Sequence, residues 1–243
     1  MNIKLLLQLF HRPRIDEGVE DLHQNFISAW RAEAEPFGLS PSFEDPAPVV
    51  RPDALVAVKH LKIPKARTHY SFKYIRRSGK LVTQDSVSFD DVMTCQLAVD
   101  EEHYCDLQYR WLPKFASAFR CYRAQVSIPD YAFNYTDWGW NEWADRPTAN
   151  PTYHRLKADK SIDMDERNNI FTLHPAMFWD EELCIRALNC GPEEIVRRLL
   201  GHAAHCQLVG NGVHLVLSNN FRLTYEQYVE MNDTFGKMLG LAR

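Results

Sequence analysis

The sequence predicts an α+β fold with a mostly antiparallel sheet flanked by helices, and two kinds of pattern support this prediction. Some segments alternate apolar and polar residues, as Tyr122 to Ile128 does, and this period of two is typical of half-buried strands. Others repeat apolar residues at helical spacing, as Val19, Leu22 and Phe26 do. Turn sequences between neighbouring strand segments indicate hairpins, which pair antiparallel strands.

The N-terminal half contains most of the predicted strands. Its predicted elements are a strand at 2–10, a helix from Asp16 to about residue 35, a helix or strand at 53–62, a hairpin of 69–76 with 81–89, a helical stretch at 90–118 broken near Asp100, and a strand at 120–128. Asp16 is a candidate N-cap for the first helix, because a carboxylate can accept hydrogen bonds from the first free backbone N–H groups. Pro129 stops the last strand, since proline has no N–H to donate.

The C-terminal half has clearer turn and cap signals. Its predicted elements are a loop at 146–169, a short strand at 170–173, a helix that starts at Gly191-Pro192 and runs to about Leu200, a hairpin at 206–217 and a final helix that ends at Gly240. The hairpin turns at Gly210-Asn211-Gly212, where Asn-Gly tolerates positive φ angles. Thr224 and Gln227 have the spacing of a capping box.

Length and composition favour an ordinary globular protein. The chain has 243 residues, of which 45% are hydrophobic and 25% charged, so we expect a single domain, 1–243, with the five-proline stretch 36–52 as the candidate lobe boundary. No apolar run approaches the roughly 20 residues of a membrane helix, so no membrane partner is expected. The block Leu5 to Phe10 is too short for a signal peptide, which predicts a cytoplasmic protein.

Charge is distributed unevenly along the chain. Residues 51–80 contain nine Lys and Arg and one acid, Asp53, which gives a net charge of +8. Residues 85–106 contain seven acids and no Lys or Arg, which gives −7. This segregation indicates either a macromolecular partner or internal pairing of the two blocks.

The acidic and aromatic residues supply the candidate protein-binding surface. Large aromatic side chains among acids resemble the anchors of protein interfaces, and a negative surface attracts a basic partner. The candidate partner-binding residues are Asp100, Glu101, Glu102, Asp106, Asp137, Trp138, Trp140, Glu142 and Trp143. The alternative is a solvated acidic surface over buried tryptophans.

Two other functions have candidate residues. His202, His205 and Cys206 could serve a metal-dependent hydrolase, but a structural zinc site needs four ligands and no fourth is evident. The short signatures of common enzyme sites, such as the P-loop and G-x-S-x-G, are also absent. We therefore expect no metal, no cofactor, no catalytic residue and no enzymatic activity.

The basic segment 51–80 could instead form a nucleic-acid-binding module. Its aromatic residues Tyr70, Phe72 and Tyr74 alternate with polar and basic ones, which suits base stacking. Residues two apart share one face of a strand, however, so these aromatics are equally suited to the core. Because the sequence pI is about 6.2, we favour the core and expect no nucleic-acid partner.

The order of elements resembles that of the immunity proteins of bacterial type VI secretion and polymorphic-toxin systems. In particular, it is similar to the α+β immunity family that neutralises restriction-endonuclease-like nuclease toxins. The resemblance rests on AWRAE at 29–33 in the first helix, WGW and NEW at 138–143, and GVHLVLS at 212–218 followed by the final helix. It extends over most of the chain.

This resemblance implies a non-enzymatic cytoplasmic protein that binds one cognate toxin and protects the producing cell in bacterial competition. A nuclease toxin needs a basic cleft for DNA, and an acidic surface with aromatic anchors is suited to cover such a cleft. The oligomeric state and the identity of the toxin do not follow from the resemblance.

Overall fold

The computed structural model describes residues 2–33, 39, 45–63, 68–136 and 159–241. Its strands are β1 (Ile3–His11), β2 (Val56–Ile63), β3 (Thr68–Ile75), β4 (Asp91–Val99), β5 (Arg123–Ser127), β6 (Ala176–Asp180), β7 (His205–Val209) and β8 (Gly212–Val216). They form one eight-stranded sheet in the order β2-β3-β4-β1-β5-β6-β8-β7. Every pairing is antiparallel, which confirms the predicted α+β fold.

Helices cover the two faces of this sheet. They are α1 (Val19–Arg31), α2 (Glu101–Asp106), α3 (Leu112–Ala118), α4 (Pro129–Thr136), α5 (Glu181–Leu188), α6 (Pro192–Leu199) and α7 (Tyr225–Leu239). A π-helical segment, Leu107–Trp111, joins α2 to α3. In the described ranges, no helix is long and apolar enough to cross a membrane.

Strand β1 lies inside the sheet because it is apolar on both faces. Leu5, Leu7 and Leu9 are buried on one face, in a core cluster that includes Phe26 of α1. Phe10, one residue on from Leu9, points to the opposite face and joins a second cluster built on β6, β8 and the later helices. Two hydrophobic layers therefore pack against one sheet.

The region 81–99 differs from the prediction of a strand at 81–89 followed by a helix from residue 90. The strand is β4, Asp91–Val99, in which Met93, Cys95 and Leu97 are buried on one face. These residues are two apart, and pairing with β1 and β3 selects the strand. The helix starts only after Asp100, where the prediction placed a break.

Other elements also differ from the predictions in their boundaries or type. Residues 170–173 form no strand, because the backbone N–H of Leu173 donates to Asn232 Oδ1 of α7 at 2.7 Å. The first helix begins at Val19 after an extended Gly18, so Asp16 is not its N-cap. The ambiguous stretch 53–62 forms β2.

The predicted hairpin of β7 and β8 is confirmed, and its glycines have separate roles. Gly210 and Asn211 form the two-residue turn, and Gly210 adopts a positive φ of 58°. Gly212 begins β8 where the backbone of β6 approaches closely: a Cβ at this position would lie 2.2 Å from the carbonyl oxygen of Trp179. A side chain at position 212 would therefore push β8 away from β6.

Removing the N-cap hydroxyl of α7 in Thr224→Ala should lower the free energy of unfolding by about 1 kcal/mol. Thr224 Oγ1 accepts a hydrogen bond from the N–H of Gln227 at 3.3 Å, and Gln227 Oε1 accepts one from the N–H of Thr224 at 3.0 Å, which confirms the capping box. Urea unfolding monitored by circular dichroism measures this cost. Thr224→Ser is the matched control and should retain most of the stability, since it keeps the hydroxyl. Equal losses in the two variants would contradict the role of the cap.

Candidate functional site

Helix α2 presents three carboxylates to solvent. Glu101, Glu102 and Asp106 are exposed, and none of them forms an ion pair with a residue that the structure describes. Their charge is therefore not neutralised by a partner within these ranges. Since α2 directly follows β4, the sheet holds the start of this helix in place.

Asp100, the fourth predicted acid of this surface, has a structural role as well. Its Oδ1 accepts hydrogen bonds from the backbone N–H of His103 at 3.0 Å and from the His103 ring at 2.6 Å. The backbone hydrogen bond lowers the pKa of Asp100 and stabilises its charged form. Half of the Asp100 side chain is nevertheless exposed, so its charge adds to the surface of α2.

The π-helical segment attaches this acidic helix to strands β7 and β8. The side-chain amide of Gln108 donates to the carbonyl of Ser218 at 3.0 Å, and the ring N–H of His214 donates to the carbonyl of Gln108 at 2.9 Å. The ring of Tyr109 contacts the ring of His205 on β7, with centroids 5.5 Å apart. These contacts join the segment that follows α2 to β8 and to the first residue of β7, while α2 itself begins at the end of β4.

The remaining acids of the 85–106 block form ion pairs with other residues of the chain. Each lies against an arginine, and the pairs are Asp85 with Arg186 (2.5 Å), Asp90 with Arg167 (2.6 Å) and Asp91 with Arg77 (2.6 Å). Of these arginines, Arg77 belongs to the basic block 51–80. Internal ion pairs therefore account for part of the charge segregation. The acids of α2 do not take part in these pairs and face the solvent.

The acids between 163 and 182 also have structural partners. Glu166 pairs with Arg123 at 2.5 Å, and Asp180 pairs with Arg12 at 2.9 Å. Both carboxylate oxygens of Asp165 accept the N–H of Val87, at 3.1 and 3.0 Å. Asp165 and Glu166 hold the segment before β6 against the rest of the fold, and Asp180 links the end of β6 to Arg12.

Five of the predicted partner-binding residues lie outside the described residues. They are Asp137, Trp138, Trp140, Glu142 and Trp143. The predicted surface is thus described only for its α2 part, Asp100 to Asp106, and the aromatic part stays a prediction.

The aromatic residues of the basic segment belong to the core. Tyr70, Phe72 and Tyr74 are buried on one face of β3, which confirms the core interpretation over base stacking. A nucleic base could not reach these rings without displacing α1, whose side chains pack against them. Lys59 of the same segment pairs with Asp45.

The candidate metal ligands do not converge. Helix α6 ends at Leu199, so His202 and Cys206 do not share a helix face, and His205 and Cys206 are neighbours on β7 whose side chains point to opposite faces. Burial raises the pKa of the Cys206 thiol to about 11, which disfavours the thiolate that would bind a metal. Within the described part of the chain, no three His, Cys, Asp or Glu side chains are placed to share a metal ion.

A buried polar site next to β5 was missed by the sequence reasoning. Arg123 is only 7% exposed, and its guanidinium carbon lies 4.1 Å from the ring centre of Phe10. It borders a cavity of about 160 Å³ that is also lined by Glu166 and His174. The alternation of β5 placed Arg123 on a polar face, and no local signal shows that later helices and loops cover that face.

Comparisons with known proteins give one informative result. No protein-family model matches the chain, and no curated protein matches it. A solved structure, "Pseudomonas aeruginosa T6SS protein PA0821", is similar in fold, with a TM-score of 0.50 and 14% sequence identity. The match covers 98% of this chain and 77% of that one. At this identity the likeness shows the fold, and the chain therefore shares its architecture with a type VI secretion system protein.

Proposed function

We propose that this chain is a type VI secretion immunity protein that binds a cognate antibacterial nuclease toxin and neutralises it by direct contact in the cytoplasm of the producing cell. The observation that carries the proposal is the unpaired negative charge of α2. In this function the protein makes and breaks no bond, and its specificity lies in the surface that it presents to the toxin.

The charge of α2 suits a basic partner. A nuclease holds the DNA backbone in a positively charged cleft, and exposed carboxylates can occupy or cover such a cleft. The other acids of the same block are neutralised by arginines, which leaves Glu101, Glu102 and Asp106 available to a partner. Exposed charges of this kind increase the association rate more than they increase the final affinity.

The fold likeness to a type VI secretion protein is consistent with this proposal, because it extends over 98% of the chain. The AWRAE, WGW and GVHLVLS segments add the resemblance to immunity proteins. An immunity protein needs high affinity, since few free toxin molecules suffice to kill, and known nuclease–immunity pairs reach dissociation constants on the order of 10⁻¹³ to 10⁻¹⁶ M.

Charge reversal on α2, in Glu101→Lys/Glu102→Lys/Asp106→Lys, should slow association with the toxin about tenfold or more at low salt and flatten the dependence of the rate on ionic strength. Asp100 is left in place because it caps α2. The candidate partner for this test is the product of the neighbouring gene, and stopped-flow fluorescence or surface plasmon resonance gives the rate. Growth of cells that express this partner measures protection.

The matched control is Glu226→Lys/Glu230→Lys/Asp233→Lys on α7. These three acids are also exposed, the change in net charge is identical, and Glu226, like Glu101, lies in the first turn of its helix. The control should alter the association rate less than threefold. If the two triple variants bind and protect alike, the acids of α2 are only a solvated surface. If the unaltered protein forms no complex at micromolar concentration, the proposed function is wrong.

A further inference from the structure

Strand β7 is an edge of the sheet that lacks the usual protection against a further strand. Among the described residues it pairs only with β8. Its sequence, HCQLV, contains no Lys, Arg, Asp, Glu or Pro. The opposite edge, β2, carries Lys59, and edge lysines oppose unwanted strand pairing. The two edges of the sheet therefore differ in their protection against pairing with a further strand.

The hairpin geometry determines which backbone groups of β7 are free. In a hairpin closed by a two-residue turn, the closing pair Val209 and Gly212 is hydrogen-bonded, and bonded pairs then alternate along the strands. The N–H and C=O groups of Cys206 and Leu208 therefore point away from β8. The side chain of Leu208 is 50% exposed, and it offers an apolar contact beside these groups.

The C-terminal end of the acidic helix leads into a segment that contacts the same edge. Tyr109 contacts His205, the first residue of β7, and Asp106 lies one helical turn before Tyr109. A chain that pairs with β7 and continues past His205 would therefore run toward Asp106, the last residue of α2. Charge complementarity then favours a segment that carries lysine or arginine.

We infer that β7 is the docking edge for an extended, basic segment of the toxin, which adds to the sheet as a further strand while a cationic side chain of that segment meets Asp106 at the end of α2. This inference rests on the proposed function and deepens it, because it states how the toxin is held. Backbone hydrogen bonds to the edge would supply affinity, and the side chains of alternate residues would supply selectivity.

Leu208→Pro tests the inference, with Leu208→Ala as its matched control. Proline removes the outward N–H of residue 208, whereas alanine removes the side chain and keeps the N–H. An outward N–H takes no part in pairing with β8, so Leu208→Pro should keep the hairpin. Binding to the neighbouring gene's product should weaken at least tenfold in Leu208→Pro and less than threefold in Leu208→Ala.

Hydrogen exchange on the unaltered protein gives a second measurement that does not depend on how a variant folds. In the complex, the amides of Cys206 and Leu208 should exchange at least tenfold more slowly than in the free protein. Unchanged exchange at both amides in a tight complex would overturn the inference and leave the proposed function standing. If both amides are already protected in the protein alone and size-exclusion chromatography shows a dimer, the edge pairs with a second copy of the chain. This result would also overturn the inference. Failure of the unaltered protein to bind would overturn both proposals.

Discussion

Acidification from about pH 6.5 to 4.5 is expected to destabilise this protein by several kcal/mol, because three histidines are buried in their neutral form. Burial lowers the pKa of His23 to about 4, of His214 to about 4 and of His174 to about 3. Positive charge on Lys59 adds to the effect at His23, and positive charge on Arg123 adds to it at His174. A proton on any of these rings would place a charge inside the fold.

The sign of the pH dependence follows from where the protons bind. In the unfolded chain a histidine takes up a proton below about pH 6.5, while the folded protein resists protonation until its own lower pKa. Each histidine therefore contributes stability above pH 6.5 that is lost as the pH falls, at about 1.4 kcal/mol per pH unit. Asp90 acts in the opposite direction, since burial raises its pKa to about 6. The net loss is about 3 kcal/mol per pH unit between about pH 6 and 5, against a typical total stability of about 5–15 kcal/mol.

The slope of unfolding free energy against pH, from urea titrations at several pH values, measures this proton uptake. His174→Asn should lower the slope by the equivalent of about one proton. This holds however much the substitution lowers the free energy of unfolding at neutral pH, because the slope depends on the number of protons taken up on unfolding. His69→Asn removes an exposed histidine and is the control for the loss of a histidine side chain. A slope that is equally steep in His174→Asn would show that His174 is not protonated on unfolding.

Local chemistry was sufficient to predict several elements. The hairpin at Gly210-Asn211, the start of α6 at Pro192 and the capping box of α7 each depend on residues that are close in sequence. Such signals determine the backbone conformation before any tertiary contact is made. For this reason these elements match the structure with small changes at their boundaries.

Strand β4 could not be predicted in the same way. Its sequence, DVMTCQLAV, alternates apolar residues but is followed immediately by a helix, and the apolar spacing across the junction also fits a continuous helix. What selects the strand is pairing with β1 and β3, which are distant in sequence. The local pattern of β4 is therefore compatible with both a strand and a helix, and only the non-local pairing decides between them.

The sequence predicts that the candidate site contains acidic residues. It does not predict which acids of the 85–106 block form ion pairs with arginines. The sequence shows a run of acids, and only the fold shows that Asp90 and Asp91 lie inside it against arginines while Glu101 and Glu102 do not. The difference arises because Asp91 is held on a strand beside the chain that carries Arg77, whereas the glutamates lie on the outer side of a helix. The free edge β7 was unpredictable for a related reason, since strand order depends on the whole topology.

Arg167→Met is expected to lower the free energy of unfolding by about 3–5 kcal/mol, because it leaves a buried carboxylate without its cation. Arg167 is 4% exposed and Asp90 fully buried. The Arg167 Nε donates to Asp90 Oδ1 at 2.6 Å, and Nη1 donates to the carbonyl of Gln84 at 2.8 Å. Tyr122 also donates to Asp90, at 2.5 Å, but a hydroxyl cannot neutralise the charge. Urea unfolding at about pH 7.5 measures the cost, well above the range in which the histidines titrate.

Two comparisons distinguish loss of charge pairing from loss of packing in Arg167→Met. Arg186→Met removes an arginine whose side chain is 34% exposed and which, like Arg167, contacts Asp85; this change should cost only about 0–1 kcal/mol. In Arg167→Met the pKa of Asp90 should rise above its native value, so the variant takes up a proton at a higher pH than the unaltered protein does. Its cost should therefore shrink as the pH falls from about 8 to 6, because the carboxylate is then neutralised by a proton in place of the guanidinium. A cost that stays constant over this range would mean that Arg167 stabilises the fold by its packing and its bond to Gln84, and not by its charge.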